Sequence, residues 1–517
     1  MGRINTNVQS MIAQRVLSQN TNTLGTALER LSTGTKINRG KDDPAGLIAS
    51  ENLDAEQKSL NQAINNADRA DQVVNIAEGG LQEVSGMLTE LQGLLTATAS
   101  RAGLSAEEKQ ANQLQIDSIL QTVDRVASAT NFQGMKLLNG NFDFKTSSIA
   151  SGVTDFHVNS AKFSGSSLGI DVQVTTSAQQ GGFFLSAGGS SLNINTGSSL
   201  VIEIGGSLGS RELSFASGTT LQKIADAINS FSDVTGVEAT VSGSGLKVIS
   251  SDFGADNFVS LKVVNAAGIN STTNGDTGSG GSRGVYRLNS ADFNLASTVS
   301  GDFTSFTSAI NEVRDSGQNI GATINGVLAT ANGKVARIST DFLDVEVTLS
   351  TTQSQTLGNV SNVTGDPAFY ITGGGADFQL SSKADIAGKV AIGIGDVATR
   401  NLGNSTLGFL SSLGSGRANN VVNGNILDGQ KVVAEAIKQV SSLRGRLGAF
   451  QKNVIGATTR SLSVSVENTA AAQSIIRDTN FAQSTAELTR AQILVSSSTQ
   501  VLGLANQQPQ SALQLLG

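Results

Sequence analysis

The feature that most constrains this chain is a heptad repeat that runs without an internal proline from Pro44 to about Ser100. Two apolar rows at seven-residue spacing predict one long helix that packs along its whole length. The first row consists of Leu53, Leu60, Ala67, Val74, Leu81, Leu88 and Leu95. The second row consists of Ala63, Ala70, Ala77, Val84 and Leu91. Such a helix cannot bury its apolar rows alone, so it needs partner helices from the same chain or from neighbouring copies.

A weaker helix is predicted before this repeat. Its apolar stripe consists of Ile4, Val8, Ile12, Val16, Leu24, Leu28 and Leu31. The stretch Asn20 to Thr23 contains poor helix formers, so the segment is marginal as an isolated helix. We therefore expect it to stay disordered until it packs against a partner. Gly34 is expected to end it, and Asp43 with Pro44 is expected to start the long helix.

A third helix is predicted after the long one. Ser105 and Glu108 have the spacing of a capping box, which favours a helix start at this point. The residues expected to face inward are Leu114, Ile119, Leu120, Val123 and Val126. This helix is expected to end near Thr130.

Heptad spacing returns near Asn420 and predicts helices that pair with the N-terminal ones. One row consists of Val433, Val440, Leu447 and Val454, and the other of Ala436, Leu443, Phe450 and Ala457. After a break near residues 478–480, the apolar residues of a last helix are Leu488, Ile493, Leu494 and Leu502. Pro509 is expected to interrupt that helix. Ends that share one rod must fold back on each other, although two unrelated coiled-coil dimers are an open alternative.

The middle of the chain, from about Asp143 to Arg417, has a different character. Clusters of Gly, Ser and Thr separate short alternating runs, which are typical of β-strands. The clearest runs are Leu200–Ile204, Val237–Val241 and Leu246–Ile249. One amphipathic helix, Thr220–Phe231, interrupts them, so this part is predicted to be α+β. A flexible loop is expected at residues 274–281, and more strands are expected from about 303 to 397.

Composition excludes several functional classes. The 517-residue chain has no cysteine and a net charge of −7. It therefore has no disulfides and no thiolate chemistry, and its acidic balance argues against nucleic acid as the main partner. The sequence has no apolar run of about 18 residues, so no membrane span is predicted. The stretch Met1–Asn20 also lacks the apolar block of a cleaved secretory signal.

Enzymatic activity is not expected either. His157 is the only histidine, which excludes a metalloprotease motif with two histidines. His157 lies in a polar stretch without a nucleophile elbow nearby, so a Ser-His-Asp triad is not expected. We therefore predict no catalytic residues, no metal and no cofactor.

Several specific segments at the two ends point to a family. The N-terminal segments are Ile4–Asn7, Leu28–Gly34, Ile37–Asn38, Lys41–Gly46, Asp124–Val126 and Asn131–Leu138. The C-terminal segments are Arg490–Leu494 and Ala505–Leu516. Together they resemble the terminal regions of bacterial flagellin, across about residues 1–145 and 420–517. Residues 221–263 are similar to a small repeat module of flagellin and hook-associated proteins.

The resemblance implies a multidomain α+β fold. The N- and C-terminal helices would pair into a long coiled-coil-like core, and a β-rich variable insertion would project from it. Residues 1–43 and 477–517 would be inner-tube helices that are disordered in the monomer, and residues 44–145 and 418–476 would form the outer tube. Residues 146–290, with the repeat module at about 200–265, and residues 291–417 would be two parts of the surface region.

The implied function is a structural subunit that polymerises into the extracellular flagellar filament used for swimming. The implied partners are other copies of the chain, an export chaperone at the C-terminus, and hook-associated and cap proteins. Export would use a type III channel and no cleaved signal. Two alternatives stay open at this point, a hook–filament junction protein and an enzyme or adhesin displayed on a helical stalk.

Two sets of residues are predicted to carry these contacts. The helical core and polymerisation set consists of Leu28, Leu31, Leu53, Leu60, Val74, Leu81, Leu88, Leu95, Val433, Val440, Leu447, Val454, Leu488, Leu494 and Leu502. The second set is Glu90, Gln92, Gly93 and Leu94, which align with the flagellin face recognised by an animal Toll-like receptor. In many flagellins that face carries an arginine and a following Arg-Glu-Leu. Of these residues, the resemblance implies that this sequence keeps only the leucine. A glutamate in place of a cation would repel an acidic partner, so weak or no receptor recognition is predicted.

Overall fold

The computed structural model describes residues 6–514 except 101–103, 188, 193, 195–196, 244, 268, 270–282, 290–293, 300 and 364, and the side chains only as far as residue 508. The loop predicted at residues 274–281 lies outside the described residues. The chain divides into two compact units. One unit is Met1–Asn75 with Phe378–Val390 and Arg446–Gly517, and the other is Ile76–Asp377 with Ala391–Gly445.

Long helices occupy both ends of the chain, as predicted. They are α1 Val8–Thr33, α2 Pro44–Ala99, α3 Ala106–Ala129, α7 Ile426–Ala449, α8 Gly456–Arg477 and α9 Phe481–Gln514. Three shorter helices, α4 Leu221–Asn229, α5 Ser232–Thr235 and α6 Thr351–Gln355, lie in the middle of the chain. The predicted start of α2 is confirmed, because the N–H of Gly46 donates to the Asp43 carboxylate at 2.9 Å. The capping box of Ser105 and Glu108 at the start of α3 is also confirmed.

The two predicted rows of α2 are its buried face. The buried residues at heptad spacing are Leu60, Ala63, Ala67, Ala70, Val74, Ala77, Leu81, Val84, Leu88, Leu91 and Leu95. Leu53, at the N-terminal end of the first row, is only half-buried. The two rows are therefore buried from Leu60, in about the fifth turn of the helix, to Leu95 near its end.

The C-terminal heptad contains an irregularity that the spacing did not predict. Val433, Val440 and Leu447 are buried, but Val454 is half-buried and Ile455 is buried in its place. A π-helical segment, Phe450–Ile455, joins α7 to α8. A π-turn accommodates one extra residue, so the seven-residue step becomes eight before the repeat resumes at Leu462. The predicted inward position of Val454 is therefore wrong by one residue.

Two smaller predictions about the helices are also wrong. Leu114 is 69% exposed, and Gln113 and Ile116 face inward instead. Gln113 fits there because its amide donates to the Leu413 carbonyl at 2.9 Å and accepts from the Val421 N–H at 2.9 Å. A search for apolar residues cannot find such a polar inward position.

The last helix also continues past Pro509 to Gln514, since a helix can persist with one backbone hydrogen bond removed.

The middle of the chain is strand-rich, as predicted. The strands before residue 290 are β1 Asn131–Phe132, β2 Met135–Lys136, β3 Phe144–Ser147, β4 Val153–Ala161, β5 Leu168–Ile170, β6 Val172–Thr176, β7 Gly182–Ser186, β8 Ser199–Gly206, β9 Ser210–Ala216, β10 Val237–Ser242, β11 Gly245–Ser250, β12 Phe258–Asn265 and β13 Gly284–Arg287. The later strands are β14 Phe303–Ser305, β15 Val313–Ser316, β16 Gly321–Ile324, β17 Val327–Leu328, β18 Thr330–Asn332, β19 Val335–Ser339, β20 Leu343–Leu349, β21 Gly358–Asn359, β22 Phe369–Gly374, β23 Ala376–Gln379, β24 Lys389–Ile392, β25 Gly403–Asn404 and β26 Gly408–Phe409.

These strands build two apolar cores, one inserted into the other. The split core consists of buried residues from 144–178 and 320–391. The nested core consists of buried residues from 183–309 and contains α4 and the strand order β10-β11-β7-β13-β14. The predicted division at residue 290 is therefore wrong, because it cuts the nested core and separates the two halves of the split core.

Candidate assembly surface of the terminal helices

Helices α1 and α9 lie side by side and are joined by polar side chains. The Asn7 amide donates to the Ala505 carbonyl at 2.7 Å, and the Ser10 hydroxyl donates to the Asn506 side chain at 2.7 Å. Further along, the Asn20 amide donates to the Ser498 hydroxyl at 2.6 Å. The two ends of the chain therefore pair with each other, and the alternative of two unrelated coiled-coil dimers is wrong.

Small residues at heptad spacing form the contact between α1 and α9. On α9 the buried residues recur every seven positions, as Ser484, Ala491, Ser498 and Ala505. On α1, Ala13 and Ala27 are buried and Asn20, midway between them, is half-buried. Alanine and serine leave little apolar area to bury, so this contact is a close approach of two helices and contributes little hydrophobic stabilisation.

Large apolar side chains of both helices remain exposed. On α1 they are Val8, Met11, Ile12, Val16 and Leu28, and on α9 they are Phe481, Ile493, Leu494, Val501 and Leu504. Their exposed fractions run from 40% for Val16 to 66% for Leu504. Isolated exposed apolar residues are ordinary, but rows of them along two paired helices indicate a protein–protein contact surface.

Apart from Leu53 and Val454, which are half-buried, the predicted core and polymerisation residues fall into two groups. Leu60, Val74, Leu81, Leu88, Leu95, Val433, Val440 and Leu447 are buried in the single chain. On the terminal pair, Leu28 and Leu494 are exposed, whereas Leu31, Leu488 and Leu502 are half-buried. The second group is available to other molecules, and its role in polymerisation stays a prediction.

Sequence reasoning missed the residues that join the two terminal helices. The predicted stripe of Val8, Ile12 and Val16 faces away from α9, while Ala13, Asn20 and Ala27 face it. A heptad of small residues was present in the sequence, but a search for leucine and valine rows cannot detect it. The useful signal was Ser or Ala at every seventh position of α9.

Two short connectors lie at the boundary of this pair. The N–H of Lys36 donates to the Arg477 carbonyl at 2.7 Å, and the N–H of Thr479 donates to the Gly34 carbonyl at 3.0 Å. Gly34 has a φ of 73°, a left-handed conformation that suits glycine and ends α1. Both predicted helix breaks are therefore present, and they are hydrogen-bonded to each other.

A carboxylate organises the turn between α1 and α2. The N–H groups of Arg39 and Asn38 donate to Oδ2 of Asp42 at 2.9 and 3.1 Å. The backbone hydrogen bond from Arg39, assisted by the one from Asn38, holds the pKa of the Asp42 carboxyl below its ordinary value. The turn is therefore stabilised by the charged form of one side chain.

Within each unit, α2 pairs with the C-terminal helices in antiparallel fashion. In one unit, Leu60 and Ala63 pack against Leu462, and the Gln451 amide donates to Asp71 at 2.7 Å. In the other, Arg444 Nε and Glu78 Oε1 are 2.8 Å apart. Apolar rows along the helices and a few polar bonds beside them therefore hold this pairing.

The face compared with the receptor-binding face of flagellin lies on the outer side of α2. Glu90 is exposed and accepts a hydrogen bond from the Gln115 amide at 3.1 Å. Gln92 and Gly93 are exposed, and Leu94 is half-buried. The structure thus leaves all four residues on an accessible surface.

His157 is exposed on β4, where it stands opposite Glu346 of β20. In the part of the chain that the structure describes, no cluster of three or more His, Cys, Asp or Glu residues has the arrangement of a metal site. Among the same residues, every helix is too short or too polar to cross a membrane.

Known families match the two ends and part of the nested core. Residues 4–143 match the bacterial flagellin N-terminal helical region, and residues 430–516 match the bacterial flagellin C-terminal helical region. Residues 199–252 match the flagellin hook IN motif, which confirms the predicted repeat module.

Known proteins of similar length extend this result. A flagellin from Salmonella typhimurium is 28% identical, and one from Salmonella rubislaw is 30% identical, each over 99% of both chains. A solved structure of the flagellar cap protein FliD D1-D2-D3 domains from Escherichia coli is 22% identical, with a TM-score of 0.27, and covers 47% of this chain and 62% of that one. On the match of the whole chain to curated flagellins, the protein belongs to the bacterial flagellin family, whose members are the structural subunits of the flagellar filament.

Proposed function

We propose that the chain polymerises by covering the exposed apolar side chains of α1 and α9 with the same helices of neighbouring copies. One observation carries this proposal. The α1–α9 contact is built from Ala, Ser and Asn, so most of the large apolar residues of both helices are left exposed in the single chain. A surface that meets a different surface on the next copy produces an open helical polymer.

The domain roles follow from this arrangement. Residues 1–43 and 477–517 line the inner tube and become ordered only on assembly, because their pairing buries little apolar area in one chain. Residues 44–145 and 418–476 form the outer tube, whose apolar rows are satisfied within the chain. Residues 146–417 project as the surface region. The filament is extracellular and serves motility.

Seeded growth of the purified chain tests the proposal. Ile493 on α9 is 64% exposed, so Ile493→Asn should leave the fold of the monomer unchanged and abolish elongation of filament seeds. Leu328→Asn is the matched control, because Leu328 is 76% exposed on β17 of the surface region. Electron microscopy and sedimentation measure the outcome. Normal elongation by Ile493→Asn would contradict the proposal, and growth that stops after one ring would favour the junction protein.

We propose that the same surface is shielded by an export chaperone before secretion. Val501 and Leu504 are exposed on α9, and such a surface needs cover in the cytoplasm. Deletion of residues 478–517 should abolish both polymerisation and chaperone co-purification. Retention of chaperone binding by the deletion variant would place the chaperone site elsewhere.

Contacts with hook-associated and cap proteins are proposed at the ends of the filament, through the same α1–α9 surface.

Export through a type III channel without a cleaved signal is proposed as well. A chain without cysteine can pass unfolded through such a channel because no disulfide holds it. The intact mass of the secreted chain tests whether a signal is cleaved, since cleavage would remove N-terminal residues and lower the mass.

We propose weak or no activation of the animal flagellin receptor. Glu90 is exposed where the family carries a cation, so its charge opposes an acidic partner surface. A reporter assay with purified monomer should give low potency, and Glu90→Arg should raise it. Full potency of the unmodified chain would overturn this proposal.

We propose a purely structural role without catalysis. His157→Ala changes one exposed side chain on β4 and should leave seeded growth unchanged. Slower seeded growth of this variant would count against the proposal. So would a hydrolytic activity that the unmodified chain has and this variant lacks.

A further inference from the structure

The nested and split cores are joined by a neck in which two chain crossings run together. The crossings lie near Gln179 and Gln318, whose backbones exchange two hydrogen bonds, each 2.9 Å long. Two crossings bonded in this way resist twisting more than a single linker does. The neck is therefore a candidate for a rigid joint.

Glycines make the neck unusually tight. A Cβ on Gly181 would lie 2.6 Å from the Asp315 carbonyl oxygen, and a Cβ on Gly317 would lie 2.5 Å from the Gln179 carbonyl oxygen. Both distances are far below van der Waals contact, so the two backbones touch where only glycine fits. The close contact leaves no space in which the crossings could slide past each other.

One side chain then ties a loop of the nested core to a hairpin of the split core. The side-chain Oδ1 of Asn319 accepts the N–H of Ala255 at 3.0 Å and the N–H of Gly333 at 2.9 Å. Ala255 lies between β11 and β12 of the nested core, and Gly333 lies between β18 and β19 of the split core. Phe253, in the same loop as Ala255, packs against the split core. The joint is therefore fixed by hydrogen bonds and by packing.

A second, separate contact links the nested core to the helical rod. Lys431 Nζ of α7 and Asp233 Oδ1 of α5 are 2.8 Å apart, and their side chains are 43% and 51% exposed. The two residues are far apart in sequence but lie in the same compact unit. An exposed ion pair contributes little by itself, so it can hold two parts together only if both charges are already positioned.

We propose that the nested core is a fixed strut, oriented by the Asn319 neck and held to α7 by the Lys431–Asp233 ion pair. The neck positions Asp233 beside Lys431, and the ion pair then selects one orientation over others. Salt weakens only the ion pair, because the named hydrogen bonds of the neck join uncharged groups and its remaining contacts are packing. Neither the neck nor the ion pair includes a residue of α1 or α9, the helices of the polymerisation proposal.

Cross-linking in the cysteine-free chain tests the ion pair. Val234→Cys and Leu427→Cys place thiols beside Asp233 and one helical turn from Lys431, and both sites are exposed. A short bismaleimide should join them. Adding Lys431→Glu or Asp233→Lys should slow cross-linking about fivefold, which is the upper range for an exposed pair. The double variant with both changes should restore the rate, whereas neither single variant should. An unaffected rate, or a swap that fails to restore it, would overturn the role of the ion pair.

The neck is tested in the same cross-linking background. Asn319→Ala removes the acceptor for two N–H groups, so it should slow cross-linking as much as Lys431→Glu does, even at low salt. Asn319→Asp is the matched control, because its carboxylate still accepts both N–H groups and should keep the rate within about twofold, the change of a near-neutral substitution. Circular dichroism verifies that both variants are folded. Equal rates for the Ala and Asp variants would contradict the role of the neck.

Discussion

Two pairs of helices in this protein share a heptad repeat but use it in opposite ways. Helix α2 with α7 and α8 places leucine, valine and alanine on the shared face and buries them within the chain. Helix α1 with α9 places only alanine, serine and asparagine there and leaves most of its large apolar residues exposed. The presence of large apolar residues at the repeat positions, and not the repeat itself, therefore decides whether a helix pair is self-sufficient.

The energetic contrast follows from the same sizes. A fully buried leucine contributes about 1.5–3 kcal/mol, whereas a buried alanine methyl contributes well under 1 kcal/mol. The α2 pairing is thus stabilised by the burial of many leucine and valine side chains. The α1–α9 pairing has a few hydrogen bonds of modest net value and little apolar burial. Most of the apolar surface of the terminal pair remains to be used between molecules.

The largest expected effect concerns the register of the C-terminal heptad. Deletion of Lys438, an exposed residue of α7, moves Val440, Leu443 and Leu447 off the buried face. We expect a loss of at least about 4 kcal/mol in the free energy of unfolding, since each displaced core residue costs about 2–5 kcal/mol. Denaturant unfolding followed by helical circular dichroism measures it.

A matched deletion sharpens that prediction. Deletion of Asn453 removes the extra residue of the π-segment and turns the spacing from Leu447 to Ile455 into seven residues. The repeat becomes continuous, so the free energy of unfolding should change by less than about 1.5 kcal/mol, the range of well-tolerated core rearrangements. Equal losses for both deletions would mean that the π-segment is not the source of the register shift.

The next prediction compares one leucine from each pair. Leu81 of α2 is fully buried, so Leu81→Ala should lower the free energy of unfolding of the monomer by about 2–5 kcal/mol. Leu494 of α9 is 45% exposed, so Leu494→Ala should change it by less than about 0.5 kcal/mol, as at other surface positions.

Seeded growth separates the two variants a second time. Leu494→Ala should slow elongation at protein concentrations where the unmodified chain grows. If both variants destabilise the monomer equally, the terminal pair buries its apolar residues in the single chain and the comparison fails.

Much of the fold could be predicted from sequence because its signals are local. Heptads located the helices at both ends, Ser105 with Glu108 marked the start of α3, and Gly34 marked the end of α1. The nesting of the two β cores could not be predicted, because it depends on which distant strands pair. β4 pairs with β20 across most of the insertion, and no local pattern records that choice.

The candidate site was only partly predictable for a related reason. The exposed positions of Leu28 and Leu494 depend on which face α1 turns toward α9. Ala13 and Asn20 determine that face through close approach and a hydrogen bond, neither of which is visible as hydrophobicity. The π-segment was hidden as well, since one extra residue in a helix leaves no compositional mark.

A smaller effect is expected from enlarging the small-residue contact. Ala491 of α9 is buried against α1, so Ala491→Leu should force the helices apart at a cost of about 1–3 kcal/mol. Gln492→Leu, at the next and exposed position, is the control. Hydrogen exchange of α1 amides in assembled filaments should be faster in the first variant only. Slower exchange in Ala491→Leu would mean that hydrophobicity drives this pairing, contrary to the comparison.

The smallest expected effect lies at the turn that separates the two regions. The Arg39 N–H, with that of Asn38, lowers the pKa of Asp42 below 3.8, its ordinary value. A depressed carboxyl pKa contributes stability that is present above the ordinary value and is lost as the pH falls through the folded pKa. The turn should therefore stay intact down to pH 3.8 and loosen only below it. The amide resonance of isotopically labelled Arg39 should shift with a midpoint under 3.8, and Asp42→Asn should abolish that transition. A midpoint at or above 3.8 would mean that the carboxylate does not hold the turn, and that the boundary between the two helix pairs is set by the bonded connectors at Lys36 and Thr479 alone.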